Sequence, residues 1–212
     1  MAIIGRGILD IFSGKLGTVI GGSWKGIPYM RSLPRYKRNR NFSEAQLAQH
    51  AKFELATRFM RAFTSLFNAS FKQVASKTAR NAVLKNLLTN AIGGIPPNLF
   101  IDYSKVEVAQ GSLNVADNPL ASSPAAGRIR FNWRNSSGIG NAKADDKAIL
   151  VAYSPEKNLA IYTVNGATRV TGQDEMDVSF FSGLEVFTWI AFRSADAKLT
   201  SNSLPLGLVQ VL

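Results

Sequence analysis

The chain has no cysteine among its 212 residues. Disulfides, thiolate metal sites and cysteine nucleophiles are therefore excluded together. Histidine is nearly absent too. His50 stands alone, so a histidine metal site or a Ser-His-Asp relay has one candidate member. No stretch reaches the roughly 18 consecutive apolar residues of a membrane span. The opening MAIIGRGILDIF is apolar but broken by Gly5, Arg6, Gly7 and Asp10. It lacks the basic start and continuous apolar run of a signal peptide. The expected location is the cytoplasm or an assembly, such as a virion or a structure exported without a signal peptide.

Acidic residues are scarce in the first half. Residues 1–92 hold fifteen Lys and Arg against three Asp and Glu, whereas residues 93–212 hold ten against eleven. The whole net charge of +11 is thus N-terminal. Such asymmetry suits a polyanion-binding surface, or a positive surface that meets a less positive one on another copy. Nearly half of the chain is hydrophobic, enough to build a core.

Glycines crowd the stretch GKLGTVIGGSWKGIPYMRSLP. A phosphate loop needs a helix start behind such glycines, and no G-x-x-x-x-G-K-[ST] occurs. The stretch reads instead as a β-hairpin over residues 17–34, turning at Lys25-Gly26. Pro28 marks its second arm as an edge strand. A basic connector follows, RYKRNRNF. Ser43 and Gln46 then form a capping box, which starts a helix over about 44–67. Its apolar stripe is Leu47, Ala51, Leu55, Phe59, Ala62 and Leu66. A second helix is expected over about 78–91, stopped by Gly93-Gly94 and Pro96-Pro97.

Beyond Pro97 short alternating runs recur: FIDYSKVEV, RIRFNW, AILVAY, LAIYTV, MDVSF, EVFTWIAF and LGLVQVL. Seven strands over about 115 residues suggest an antiparallel sandwich of immunoglobulin or fibronectin-III type. Trp133 is the expected buried strand tryptophan. EVFTWIAF and LGLVQVL are apolar on both faces and need a cover. The N-terminal region, the long helix or a neighbouring subunit can supply it.

Long ordered segments carry a resemblance over nearly the whole chain: SGKLGTVIGGSWKGIPYMRSLP, SEAQLAQHAKFELA, FIDYSKVEVAQGSL, FNWRNSSGIGNAKADDKAILVAYSPEK and AFRSADAKLTSNS. They resemble a family of Bacteroidota proteins known only as a domain of unknown function. The resemblance implies no activity, cofactor or catalytic residue. His50 stands where that family's Q-x-A-Q-R-A-K-F pattern has arginine, and it reads as a polar helix residue.

The other charged groups have both sharp and plain readings. Arg31, Arg35, Lys37, Arg38 and Arg40 interleave with Tyr29, Tyr36 and Phe42, with Trp24 close by. Cations among aromatics suit nucleic acid. They equally suit carboxylates of another copy, for which Asp145, Asp146, Asp174, Glu175 and Asp177 are candidates. As metal ligands these carboxylates lack EF-hand spacing, so they read as turn caps. Arg128, Arg130 and Arg134 read as the charged wet face of a strand.

The expected fold is α+β: an N-terminal hairpin and two helices (residues 1–92), then a β-sandwich (residues 93–212). The expected function is non-enzymatic: a structural protein that self-associates by strand and charge complementarity. The product would be a filament, virion or surface structure. The alternative is a nucleic-acid-binding protein. The contact residues in either case are Trp24, Tyr29, Arg31, Arg35, Lys37, Arg38 and Arg40. No cofactor or metal is expected, and the partner is another copy or nucleic acid.

Overall fold

The computed structural model describes residues 3–4, 12–34, 41–71 and 79–212. The chain divides into two compact units, Met1–Phe42 and Ser43–Leu212. The expected division near residue 93 is thus not where the contacts thin out. The helices pack on the strands behind them.

The first unit is a ribbon. Strands β1 (Ile3–Ile4), β2 (Phe12–Leu16), β3 (Val19–Trp24) and β4 (Ile27–Ser32) lie side by side in that order. The Lys25-Gly26 turn has φ of 50° and 80°. Both values are left-handed, as a two-residue hairpin turn of the favoured twist requires. The register runs from Trp24 opposite Ile27 to Val19 opposite Ser32, as the sequence suggests. Aromatic rings cover the glycines. A Cβ on Gly21 would lie 2.1 Å from the Phe12 carbonyl oxygen and 2.7 Å from its ring, and one on Gly22 would lie 3.1 Å from the Tyr29 ring.

The second unit opens with α1 (Glu44–Arg61). Its capping box is complete: Gln46 N–H donates to Ser43 Oγ, and Ser43 N–H donates to Gln46 Oε1 at 3.0 Å. The helix ends sooner than its apolar stripe suggests, and α2 (Thr64–Ser70) follows after a break at Ala62 and Phe63. The buried side chains are Ala56, Phe59, Met60, Phe63, Leu66 and Phe67, while Leu47 and Phe53 stay exposed. Among the described residues, the early turns of α1 thus bury little of their apolar stripe. Next come α3 (Ala79–Asn86) and a π-helical turn at Leu87–Ala91, ending where the glycines were expected to stop a helix. Gly93-Gly94 and Pro96-Pro97 then shape a hairpin of β5 (Ile92–Ile95) and β6 (Asn98–Ile101).

Two antiparallel sheets follow. One has the order β10-β9-β12-β13: β9 is Lys147–Ser154, β10 Leu159–Thr163, β12 Glu185–Arg193 and β13 Leu204–Gln210. The other has the order β11-β8-β7: β7 is Asp117–Ala125, β8 Arg128–Arg134 and β11 Gln173–Asp177. Strand β8 alternates as expected, with Ile129, Phe131 and Trp133 buried.

The doubly apolar strand β12 sits between two cores. Val186, Ile190 and Phe192 join Ile129, Phe131 and Trp133 of the second sheet. Trp189 and Ala191 join Phe59, Phe63 and Phe67 of the helices, along with Ile149, Val151 and Tyr153 of β9. The helices are therefore the cover that this strand needs. Phe59, Phe63 and Tyr153 interlock with ring centroids 4.7–5.3 Å apart, within the range where aromatic pairs attract.

Two strand expectations are corrected. FIDYSKVEV is not a sandwich strand: it ends β6 and turns through a 3-10 helix at Tyr103–Lys105. Its place is taken by β7, whose Pro119 and Pro124 hid it. Proline lacks the ladder N–H and is tolerated at a sheet edge, which is where β7 lies. LGLVQVL is buried on one face only. Val209 and Val211 point inward while Leu208 and Leu212 stay exposed, because β13 is an edge that the helices do not cover.

Candidate functional site

Strand parity sorts the ribbon's side chains, since neighbours along a strand point to opposite faces. Ile20, Gly22 and Trp24 of β3 pair with Arg31, Tyr29 and Ile27 of β4, and Ile20 pairs with Lys15 of β2. Lys15, Trp24, Ile27, Tyr29 and Arg31 thus share one face. All five are exposed. Lys25 Nζ lies 5.0 Å from the centre of the Trp24 ring, a cation–π distance. The opposite face carries Leu16, Val19 and Met30. Beside it runs a shallow groove of about 580 Å³ lined by Thr18, Val19, Met30, Arg31, Ser32, Leu33 and Pro34.

Of the expected contact residues, Trp24, Tyr29 and Arg31 are brought together here. Arg35, Lys37, Arg38 and Arg40 lie outside the described residues. Both faces of this ribbon remain apolar and open: Trp24 is 58% exposed and Met30 72%.

The carboxylates expected to meet the basic arm are mostly engaged within their own unit. Glu175 pairs with Arg130 at 2.6 Å and, more distantly, with Arg128. Asp117 takes Arg134. Asp174 Oδ2 accepts from Ala167 N–H and its Oδ1 from Glu175 N–H. Asp177 Oδ1 accepts from Ser179 N–H. Asp174 and Asp177 cap turns as expected, whereas Glu175 lies within β11 and pairs with the exposed arginines of β8. Asp145 alone of the five remains exposed and outside them.

Asp146 has a different fate. It is fully buried against Arg169, also fully buried, with Arg169 Nε donating to Asp146 Oδ2 at 3.1 Å. The guanidinium also donates to the carbonyls of Asn114 and Val115 and to Ser136 Oγ, and it lies 3.8 Å from the Phe192 ring centre. Trp133 Nε1 donates to the Arg169 carbonyl at 2.8 Å. Burial pushes the guanidinium down from its ordinary value, while the Asp146 charge pulls it back up. This pair ties three loops to the core. Sequence reasoning missed Arg169. No local pattern distinguishes it, since its partners lie 23 to 55 residues away.

A second cavity, about 300 Å³, lies where α1 meets the first sheet, lined by Leu55, Arg58, Tyr103, Tyr153, Glu156 and Asn158 among others. Burial raises both phenols above the ordinary tyrosine value, so they remain donors at neutral pH. Tyr153 donates to Asn158 Oδ1 at 2.9 Å. His50 stands on the exposed side of α1, away from this cavity's lining. Among the described residues no cluster of three or more His, Asp or Glu is placed to hold a metal ion, and no helix is long and apolar enough to cross a membrane.

Antiparallel sheets with a few helices define the class. Residues 11–207 match the family described as "Family of unknown function (DUF6266)", and the chain belongs to that family. No curated protein matches it. Among solved structures, the fn3 domain of human collagen alpha-1(XX) chain is similar at 9% identity, with a TM-score of 0.34, covering 47% of this chain and 86% of that one.

Proposed function

We propose that the protein is a non-enzymatic structural protein that self-associates through its N-terminal ribbon into a multi-copy assembly, such as a filament, virion component or surface structure. One observation carries this reading. The ribbon is a compact unit, and among its described residues Leu16, Trp24, Ile27, Tyr29 and Met30 are exposed across its two faces. A few strands without a covered apolar face are marginal in water, so a second copy is the natural cover. Exposed apolar patches of this kind mark interaction sites. Negative-stain microscopy of the purified chain tests the reading. Ordered particles or fibres support it; a field of single small particles at high concentration counts against it.

Nucleic-acid binding is the second reading, favoured by the shared face of Lys15, Trp24, Tyr29 and Arg31. Binding of labelled single-stranded DNA should weaken steeply with salt. It should disappear when Arg31, Arg35, Lys37, Arg38 and Arg40 become alanine. The strand orders β11-β8-β7 and β10-β9-β12-β13 support the narrower fold reading of an immunoglobulin or fibronectin-III-like sandwich. The relatives implied by the sequence resemblance are Bacteroidota proteins.

A further inference from the structure

Among the described residues strand β4 is the outer strand of the ribbon, and its outward edge has an unusual donor pattern. Leu33 N–H donates to the Thr18 carbonyl at 2.7 Å. In an antiparallel ladder the inward-facing residues alternate, so Ile27, Tyr29, Arg31 and Leu33 bond to β3. The outward-facing positions are then Pro28, Met30, Ser32 and Pro34. Two of these four are prolines and have no N–H. Only Met30 and Ser32 can donate, while the carbonyls of Pro28, Met30 and Ser32 can accept.

We infer that β4 pairs with β4 of a second copy, antiparallel about a two-fold axis at Met30. This rests on the self-association reading and specifies one contact within it, at the strand edge rather than on the apolar faces. In this register Met30 faces its own counterpart, and each Ser32 N–H donates to the other copy's Pro28 carbonyl. Pro28 lies where a donor is missing, so four inter-copy hydrogen bonds form.

The side chains decide between this register and its neighbour. With the axis at Met30, the exposed face reads Ile27 opposite Leu33, Tyr29 opposite Arg31, Arg31 opposite Tyr29 and Leu33 opposite Ile27. Apolar meets apolar at both ends, and guanidinium meets ring twice in the middle. Directly opposed residues of this kind stabilise a sheet, and a cation over a ring adds to it. Moving the axis to Arg31 keeps four hydrogen bonds but sets one arginine directly against the other, which is repulsive. Pro28 and Pro34 limit pairing to a short window, which guards against unlimited edge-to-edge stacking.

The ribbon unit holds eight Lys and Arg against one acidic residue. Two such units repel at long range, so salt should tighten the dimer, the opposite of its effect on polyanion binding.

Two variants of the full chain test the proposal. Met30→Pro removes an outward N–H that no intra-ribbon bond uses, so the hairpin keeps its own ladder. By symmetry it deletes two inter-copy bonds, and the dimer dissociation constant should rise on the order of five- to a hundredfold. Because the chain lacks cysteine, Met30→Cys gives a unique thiol. Its Cα should sit about 5.5 Å from its counterpart, within disulfide reach. Arg31→Cys would face its own copy only diagonally, at about 7–8 Å, and should cross-link poorly. Efficient cross-linking at position 30 but not 31, with a weakened Met30→Pro dimer, is the expected result. An assembly that Met30→Pro leaves intact, or one cross-linked at 31 in preference to 30, overturns the interface and spares the self-association reading. A wild-type chain that is monomeric at every concentration and salt overturns both.

Discussion

Removing Asp146 strands a charge. In Asp146→Ala, Arg169 keeps its contacts to the Asn114 and Val115 carbonyls and to Ser136, but its only carboxylate is gone and it remains fully buried. Breaking a buried pair from one side costs about 3–5 kcal/mol. The Lys143 N–H that donates to Asp146 Oδ2 at 2.9 Å is orphaned as well, adding roughly 1 kcal/mol. For a unit of this size each kcal/mol lowers the melting temperature by about 2–4 °C, so a fall of roughly 8–24 °C is expected. Thermal and urea unfolding followed by circular dichroism measure it. Arg169→Met should be comparably harmful, because it buries a lone carboxylate. The double variant Asp146→Leu with Arg169→Met should be much less destabilised than the two single losses added together, because no unpaired charge remains. Single losses below about 1 kcal/mol that simply add would refute the claim that this pair pins the loops to the core.

Three further outcomes follow from the geometry. Gly21→Ala should unpair β2 from β3, because its Cβ meets the Phe12 carbonyl oxygen; hydrogen exchange at Leu16 and Val19, which face each other across that ladder, should become fast, and unchanged protection would count against the close approach. Glu107 is raised above its ordinary 4.5 by burial, so its penalty is absent below the unfolded value and grows as pH rises through the folded one. Glu107→Gln should therefore raise the melting temperature at pH 7 and lose that gain in acid; a gain independent of pH would contradict the cause. Asp102, Asp177 and Asp196 are held below the ordinary 3.8 by hydrogen bonds from Ser104, Ser179 and Ser194 respectively. Their contribution is present above that value and should be lost as pH falls below it, seen as a steepening of acid unfolding that Ser104→Ala and Ser194→Ala blunt. Those two serines donate through their hydroxyls, whereas Ser179 donates chiefly through its backbone N–H.

Where local chemistry decided the structure, the sequence was readable. Lys25-Gly26 has the left-handed dihedral angles its turn needs, Ser43 and Gln46 close the capping box, and β8 alternates as its residues do. The doubly apolar β12 announced a second cover without naming it, since Phe59 and Phe63 reach it across more than a hundred residues. What stayed hidden was set by distant partners. Strand β7 carries two prolines that argue against a strand until its edge position is known. The helix break at Phe63 comes where the chain turns its rings onto Tyr153. Arg169 looked like any loop arginine. The apolar stripe of α1 indicated burial at Leu47, which stays exposed. The ribbon's grouping of Lys15 with Trp24, Tyr29 and Arg31 needed the pairing register of three strands, of which only the hairpin was evident.

In the proposed assembly the ribbon joins copies of the chain. Light scattering of the full wild-type chain over a wide concentration range measures this association. The monomer mass is 23.0 kDa. Association through the ribbon gives a mass that rises to twice this value or more with concentration, and rises further as salt is added. A mass fixed at 23.0 kDa across that range would contradict it.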